Sequence, residues 1–420
     1  MNSKNLAMSK IKIKHFGPIK EGCLENDGWI DIKKVTVFIG DQGSGKSTVA
    51  KVICTLMWLE KAFNRGEIDY ERLTVFSNMD YYQFRNFFGH QGLQDYFKSN
   101  TEIEYQGEEF SIIYRSKDEL PVIEPIVNSN YIVPKIMYVP AERNTLSTIE
   151  NIYKAIIPQH LFPFAEELKK AQKELYGKIL DLPLNNYKYE YDELKDSSFV
   201  HGKDHKVNLL NASSGLQSII PLYLVSRNLA DLVTQQDEVL RKNMDADSSI
   251  RMNQEINSLM LDNTISEVDR THQLNSIRSK YISKCFINIV EEPEQNLFPT
   301  SQWQMLKSLL GFNNRSKQNK LIITTHSPYI INYLTLAVKA YELKQKVKTT
   351  GLLIKIEDIV PFESTVDSND LVIYELDEKD GTIKQLEDYK GLPSDENQLN
   401  EKLEEGNELF AQLLEIQQEA

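Results

Sequence analysis

Hydrophobic and polar residues alternate at the start of the chain, in the manner of half-buried β-strands. The segment SKIKIKHF has a period of two, and KVTVFIG is a β-branched apolar run that ends at Gly40. The predominantly apolar segment VAKVICTLMWLEKAF follows a short polar interval. The pattern predicts a strand, a loop over residues 40–48 and a helix, in that order.

Three further apolar runs each end in a short polar segment. KIMYVPAERN, CFINIVEEPEQNLFP and KLIITTHSPYIIN each predict a strand that runs into a loop. Before the second of them, the polar stretch NASSGLQS at residues 211–218 leads into the apolar run IIPLYLV. This change from polar to apolar predicts a helix that begins near residue 213 and is kinked early by Pro221.

The remaining segments predict helices and hairpins. We expect mainly helix at residues 70–98, 147–182 and 228–284, the last with a break at DADSS, and an amphipathic helix from about Ser394. TEIEYQGEEFSIIYR predicts a hairpin around Gly107. YKYEYDEL and FVHGKDHKVNLL predict strands with a turn at GK.

Composition narrows the class of protein. The 420 residues are 41% hydrophobic and 26% charged, as in folded proteins, and the length allows more than one domain. No apolar run could span a bilayer, the first residues lack the apolar core of a secretion signal, and three scattered cysteines form no zinc or disulfide pattern. We therefore expect a cytoplasmic protein without a membrane partner.

The net charge of the chain bears on whether nucleic acid is a partner. The chain has 61 acidic and 48 basic residues and a formal net charge of −13. Broad wrapping by nucleic acid needs many lysines and arginines at the phosphates, so the composition argues against it. A local basic patch is compatible with this charge, and DNA stays an open partner.

The polar loop at residues 40–48 fits the pattern G-x-x-x-x-G-K-[ST] between a strand and a helix. In such a loop the backbone N–H groups face phosphates, the lysine reaches the β- and γ-phosphates, and the hydroxyl binds Mg²⁺. The predicted nucleotide-binding residues are Gly40, Gln42, Gly43, Ser44, Gly45, Lys46, Ser47 and Thr48, with Ser47 also a metal ligand.

Two later strands end in residues suited to catalysis. FINIVEEPE ends in Glu291 and Glu292, and we expect Glu291 to hold Mg²⁺ and Glu292 to take a proton from the attacking water. His326 follows the strand LIITT, and a loop at the carboxyl end of a parallel strand is where α/β sheets bind ligands. A neutral imidazole there could donate a hydrogen bond to the γ-phosphate.

The serine and glycine residues of NASSGLQS have two interpretations. Ser213, Ser214 and Gly215 precede an apolar helix and fit an ordinary helix N-cap. The same segment offers backbone N–H groups and hydroxyls to an anion. Considered alone, the segment favours the cap.

The order of the motifs resembles that of the ABC-type ATPases. A P-loop, a serine–glycine helix start, a strand with two glutamates and a strand with histidine follow one another as in SMC and RecF heads and in OLD-like ATPases of bacterial defence systems. The resemblance covers nearly the whole chain. It is strongest for stand-alone ABC-like defence ATPases, whose motif blocks are similar to YVPAERN and EEPEQNLFP.

The resemblance implies an α/β fold and a division into lobes. It implies a P-loop ATPase head with a mixed or parallel central sheet, an N-terminal antiparallel β subdomain and a helical signature lobe. The implied lobes span residues 1–145, residues 146–284 with a polar helical insert at 228–284, and residues 285–420.

The resemblance also implies that NASSGLQS contains the signature, which contacts the γ-phosphate held by the P-loop of a second copy. Alignment on S-x-G favours Ser213 with Gly215, and alignment on the final glutamine favours Ser214. The loop after IMYV lacks the expected glutamine and has Glu142 and Arg143 instead. Either Glu142 replaces that glutamine as a contact for Mg²⁺ or water, or Arg143 binds another group.

The resemblance thus predicts an enzyme that uses ATP and Mg²⁺ and hydrolyses ATP to ADP and phosphate. We expect an ATP-sandwich dimer, or a larger homo-oligomer built from it. The expected role is that of sensor and scaffold in a bacterial anti-phage system with a separate effector, such as a nuclease. The alternatives are a RecF- or SMC-like ATPase of DNA repair or DNA clamping, and an assembly scaffold with slow turnover.

Overall fold

A computed structural model describes residues 9–75, 83–127, 131–150, 155–184, 186–235, 246–262 and 267–419, and the single residues 244 and 265. Within these residues the strands are β1 (Lys10–Phe16), β2 (Gly22–Cys23), β3 (Ile30–Asp31), β4 (Val35–Gly40), β5 (Phe97–Gln106), β6 (Phe110–Arg115), β7 (Val122–Pro125), β8 (Pro134–Val139), β9 (Ile179–Asp181), β10 (Lys188–Asp192), β11 (Ser197–His201), β12 (Lys206–Asn208), β13 (Cys285–Glu291), β14 (Lys320–Thr325), β15 (Leu371–Leu376), β16 (Thr382–Gln385), β17 (Asp388–Tyr389) and β18 (Leu392–Pro393). The helices are α1 (Lys46–Asn64), α2 (Tyr70–Leu73), α3 (Phe162–Glu174), α4 (Ser214–Leu232), α5 (Ala246–Leu261), α6 (Glu267–Tyr281), α7 (Pro299–Asn314), α8 (Pro328–Lys346), α9 (Thr350–Ile359) and α10 (Gln398–Glu419).

A seven-stranded sheet in the order β2-β16-β15-β4-β14-β13-β8 forms the centre of the protein. The five strands from β15 to β8 are parallel to one another, and β16 is antiparallel to β15. Every residue of β4 and β13 is buried. Burial on both faces explains why these strands are continuous apolar runs in the sequence. The mixed α/β fold with a largely parallel sheet confirms the predicted fold class.

The N-terminal antiparallel sheet covers one side of the central sheet. Its strand order is β3-β1-β5-β6-β7, and it shares a hydrophobic core with α1 and with one face of the central strands. Glu60 of α1 ties this sheet down, because its buried carboxylate accepts hydrogen bonds from the Tyr105 hydroxyl and from the backbone N–H groups of Glu109 and Phe110. The hairpin of β5 and β6 encloses Gly107, as the sequence predicts.

A second hydrophobic core joins the other face of the central sheet to α3, α4 and α7. Part of this core comes from an antiparallel sheet in the order β12-β11-β10-β9. The lobe predicted at residues 146–284 therefore combines helices with a small sheet. Its boundaries at residues 145 and 284 stay a prediction.

Some helices are shorter than the sequence suggests. In the described part of residues 70–98, α2 is followed by 3₁₀ turns at Phe84–Gln91 and Gln94–Tyr96. In residues 147–182, the described α-helix is limited to α3, and β9 pairs with β10. The amphipathic C-terminal helix begins at Gln398, where its backbone N–H donates to Glu375. No described helix is long and apolar enough to cross a membrane.

Candidate functional site

Three parallel strands end side by side and carry the predicted motifs at their carboxyl ends. In the sheet β4 lies next to β14 and β14 next to β13, and these strands end at Gly40, Thr325 and Glu291. Glu291 is in register with Thr324, so the glutamate pair and His326 leave the sheet almost level with each other. The fold therefore brings the three motifs to one edge, where parallel α/β sheets bind ligands.

The loop after β4 curls through three glycines with positive φ. The φ values are 141° at Gly40, 86° at Gly43 and 102° at Gly45. A Cβ atom at Gly45 would lie 2.6 Å from Ile19 Cδ1, and one at Gly40 would lie 2.3 Å from the carbonyl oxygen of Leu376. Both positions therefore require glycine, and the resulting path leads directly into α1, as in phosphate-binding loops.

The other predicted nucleotide-binding residues of this loop differ in their exposure to solvent. Ser44 and Thr48 are buried, whereas Gln42 and Ser47 are exposed. Ser47 is the second residue of α1 and is exposed, and its role as a metal ligand stays a prediction.

Lys46 is buried and folds back onto its own loop. Its ammonium donates hydrogen bonds to the carbonyl oxygens of Gly40 and Asp41, at 2.8 and 2.7 Å, and to Ser44 Oγ at 3.4 Å. Burial lowers the pKa of Lys46 to about 8, and the carboxylate of Glu292 is the strongest of the charges that oppose this shift. A cation held at the start of a helix is the arrangement that binds terminal phosphates.

Glu291 has a carboxylate oxygen that fits a metal ion. The side chain is 3% exposed, and its Oε2 accepts a hydrogen bond from the Ala141 backbone N–H at 3.1 Å. Its Oε1 has no hydrogen-bond partner among the described residues. A buried carboxylate oxygen is costly without a cation or donor. The oxygen of Glu291 therefore suits the Mg²⁺ ion that neutralises phosphate charge in phosphoryl transfer, and the pairing of Glu291 with Ser47 as its ligands stays a prediction.

Glu292 and His326 face each other across the end of the sheet. Glu292 Oε1 lies 3.3 Å from His326 Nε2, and both side chains are one-third exposed. The hydrogen bond from His326 is the main cause of a lowered pKa of Glu292, so this side chain is a carboxylate at neutral pH. Glu292 also has a φ of 43°, a left-handed conformation that is rare outside glycine and is found at functional sites.

Glu294 was missed by the sequence reasoning. Its Oε1 accepts a hydrogen bond from the backbone N–H of His326 at 2.8 Å, and burial raises the pKa of its carboxyl. The side chain thus fixes the main chain from which His326 projects. Glu294 is the third acidic residue of the EEPE block, and this was the sequence signal that could have indicated it. A motif of two acids at the end of a strand does not require a third.

The signature segment lies at the N-terminus of α4. Ser213 occupies the N-cap position and Ser214 is the first helical residue, and both are exposed. The Ser213 side chain accepts no hydrogen bond from the helix, so the simple cap interpretation lacks its expected contact. A Cβ atom at Gly215 would lie 2.8 Å from the carbonyl oxygen of Asn296. The turn after β13 therefore packs directly on this glycine.

Glu142 is an exposed residue that lies beside His160. Its side chain is 60% exposed, and its Oε2 is 3.8 Å from Nε2 of His160. The backbone of the same loop contacts Glu291 through Ala141. The role of Glu142 as a metal ligand stays a prediction. Arg143, the other residue in place of the glutamine, is fully buried.

Comparison with known proteins assigns the class. Residues 142–331 match the family model of an AAA ATPase domain. The matched region includes the glutamate pair and His326, and the P-loop lies directly beside it in the sheet. Residues 142–331 thus form an AAA ATPase domain, and with the P-loop beside it the chain is a P-loop ATPase. A search among curated proteins gave no significant match to this ATPase.

Solved structures with a remote likeness to the ATPase are SMC heads. The SMC head domain from Thermotoga maritima covers 91% of the ATPase and 99% of its own chain, with 11% identity and a TM-score of 0.33. An SMC head bound to the C-winged helix domain of ScpA covers 90% and 96%, with 11% identity and a TM-score of 0.36. An SMC head derived from Pyrococcus furiosus, with an extended coiled coil and bound to the C-terminal domain of ScpA, covers 90% and 95%, with 9% identity and a TM-score of 0.36. Because these TM-scores are low, no functional conclusion is drawn from the structural similarity.

Proposed function

We propose that two copies of the ATPase pair head to tail around two ATP–Mg²⁺ units. Support comes from the exposed N-terminus of the 19-residue helix α4, where Ser213 makes no capping bond. Such a helix end favours an anion. In this arrangement each ATP contacts residues 213–215 of one copy and the following residues of the other: Lys46, Ser47, Glu291, Glu292 and His326.

The side chains around ATP divide the chemistry of hydrolysis. The loop N–H groups and Lys46 would hold the phosphates, and Ser47 and Glu291 would hold Mg²⁺, which would neutralise charge on the phosphate oxygens. Glu292 acts as the general base towards water, an effect typically worth about 10²–10⁴-fold in rate. His326 turns from Glu292 to the γ-phosphate when ATP is bound. The carboxylate is thereby released for water at the moment when the phosphate is in place.

The double substitution Ser213→Arg with Ser214→Arg tests the pairing. Two large cations at the start of α4 would block approach of the second copy's ATP site but leave the P-loop of the same chain intact. We expect the variant to bind ATP as a monomer and to lose ATP-driven pairing and most hydrolysis. The matched control is Thr349→Arg with Thr350→Arg, the same change at the exposed N-terminus of α9. Pairing and hydrolysis that survive in the signature variant would show that these serines only start a helix.

We propose further that the paired ATPase is the sensor and scaffold subunit of a bacterial anti-phage system. The similarity of YVPAERN and EEPEQNLFP to blocks of stand-alone defence ATPases supports this role. In such a system a separate effector, such as a nuclease, carries out the toxic reaction.

Helix α10 offers a surface for that effector. Its apolar side chains are exposed over one broad face, with Leu403 58%, Phe410 62% and Leu413 64% accessible. Glu404 and Glu408 lie one turn apart on the other side of the helix. An effector with an apolar groove bordered by lysine or arginine fits this acidic amphipathic helix.

DNA stimulation distinguishes the defence role from the alternative role in DNA repair or clamping. A RecF- or SMC-like enzyme would hydrolyse ATP faster with DNA ends or gaps, at low salt above all. A defence scaffold of net charge −13 would show little response to DNA alone and would co-purify with an effector encoded beside it. Slow turnover together with nucleotide-dependent assembly would favour the third role, that of a scaffold without an effector.

A further inference from the structure

Arg143 is a fully buried guanidinium whose hydrogen bonds all go to main-chain carbonyls. Its Nε donates to Ser218 O at 3.1 Å, and Nη1 donates to Pro140 O at 3.2 Å and to Glu291 O at 2.7 Å. Nη2 donates to Glu292 O at 2.7 Å. Burial lowers the pKa of Arg143 to about 10, so the side chain keeps its charge at neutral pH. Four acceptors compensate a charge that is expensive to bury.

These four carbonyls belong to three separate segments of the chain. Pro140 follows β8, Glu291 and Glu292 end β13, and Ser218 lies in the second turn of α4. The rigid planar fork of one arginine therefore joins the helix that begins with the signature segment to the main chain of the proposed general base.

Two other contacts run alongside this link. Asn296 Nδ2 donates to Ser218 Oγ at 3.1 Å, and Ser147 Oγ donates to Gln217 O at 2.8 Å. Gly215 packs against the carbonyl of Asn296. The first two turns of α4 are thus in direct contact with the turn that follows β13 and carries Glu292.

We propose that Arg143 is a positioning residue that couples the signature helix to Glu292 within one chain. When the ATP of the second copy engages residues 213–215, the movement or ordering of α4 reaches Glu292 through the Arg143 guanidinium. The unusual φ of 43° at Glu292 is held by this bond to its carbonyl. The inference rests on the proposed ATP sandwich, and it assigns a role to the residue that follows Glu142 in the loop without a glutamine.

A purely structural role for Arg143 makes a different prediction. Asn288 Nδ2 donates to Ser226 Oγ at 3.0 Å, so another buried bond also joins β13 to α4, but without contact to Glu292. Ser226→Ala is therefore a matched control that weakens the same helix–strand interface. If Arg143 only holds the lobes together, the variants at both positions should lower activity in proportion to their loss of stability.

The experiment compares Arg143→Lys, Arg143→Gln and Ser226→Ala with the wild-type chain. We expect the Arg143 variants to bind ATP within about twofold of wild type and to pair with ATP, because the P-loop and the signature are unchanged. Their kcat should fall about 100-fold with little change in KM, the cost typical of a misplaced catalytic group. Ser226→Ala should keep kcat within about threefold. Methylguanidinium should restore part of kcat to an Arg143→Ala variant.

Arg143→Lys keeps a buried charge and decides the matter if Arg143→Gln does not fold. If neither folds, Arg143→Ala supplemented with methylguanidinium decides it, because withdrawal of the guanidinium should lower kcat with little change in KM. The proposed coupling is wrong if folded Arg143 variants keep kcat within twofold of wild type. It is also wrong if Ser226→Ala loses as much kcat as the Arg143 variants do. A wild-type chain that never pairs with ATP overturns the sandwich and this inference together, whereas a pairing wild type with active Arg143 variants overturns this inference alone.

Discussion

Lys46 is held in the site by carbonyl oxygens of its own loop, not by a carboxylate. Those partners compensate its charge only in part, and burial lowers its pKa to about 8. Phosphate oxygens carry full negative charge and are stronger partners for an ammonium. Binding of ATP should therefore raise the pKa of Lys46 and favour the protonated side chain.

We predict that the affinity for ATP is constant well below pH 8 and falls as the pH rises through about 8. The sign follows from the lowered pKa, because the free protein loses the Lys46 charge in this range and must take up a proton to bind phosphate. Fluorescent-nucleotide titrations from about pH 6.5 to about pH 9.5 measure the effect. Lys46→Met should bind weakly at every pH. A wild-type affinity without pH dependence contradicts the prediction.

Glu292→Gln keeps the size of the side chain and removes the proton acceptor. We predict a fall in kcat of about 100-fold or more with retained ATP binding, measured by phosphate release and nucleotide titration. Glu142→Gln is the control in the neighbouring loop. An unchanged Mg²⁺ requirement would show that Glu142, which lies beside His160, is not a metal ligand. A raised Mg²⁺ requirement would instead support Glu142 as a metal ligand.

At the scale of single elements, α4 depends on a glycine at its first turn. Gly215→Ala places a Cβ atom 2.8 Å from the carbonyl of Asn296, which belongs to backbone and cannot swing away. We predict loss of ATP-driven pairing and lower thermal stability. Gly406→Ala in α10 meets no atom within 4 Å and should stabilise that helix by about 1 kcal/mol. Thermal unfolding and pairing assays check both, and an unaffected Gly215→Ala variant would exclude tight packing there.

The elements around ATP follow from sequence because their patterns are local. The strand before Gly40, the glycines of the loop and the helix after Ser47 each carry their own signal. The turns at Phe84–Gln91 could not be predicted in this way, because buried Phe84 and Phe88 pack on distant parts of the N-terminal core. Strand β9 depends on pairing with β10, which is a tertiary contact.

The same distinction applies inside the site. The residue types of the P-loop and of Glu291, Glu292 and His326 indicate their chemistry from sequence alone. The four carbonyls around Arg143 belong to residues as far as 149 positions from it in the sequence, so no local pattern shows them. The contact from Glu294 to the backbone of His326 is hidden for the same reason.

At the scale of the whole molecule, an exposed helix extends beyond the ATPase core. We predict that truncation after Lys402 leaves ATP hydrolysis and pairing within about twofold of wild type, because Leu399, the residue of α10 that joins the core, is retained. The truncated chain should lose capture of an effector encoded beside it. Leu413→Glu, a single change on the exposed apolar face, should weaken the same capture. Full capture by both variants would exclude α10 as the docking surface.

The central claim is that ATP joins two copies through the signature of one and the P-loop of the other. Its most direct test is the solution mass of the Glu292→Gln chain with ATP–Mg²⁺, with ATP and EDTA, and without nucleotide. We predict that the mass doubles only with ATP–Mg²⁺ and that Ser213→Arg with Ser214→Arg in the same background abolishes the doubling. A mass that is the same under all three conditions, or a doubling that survives the signature substitutions, would contradict the account.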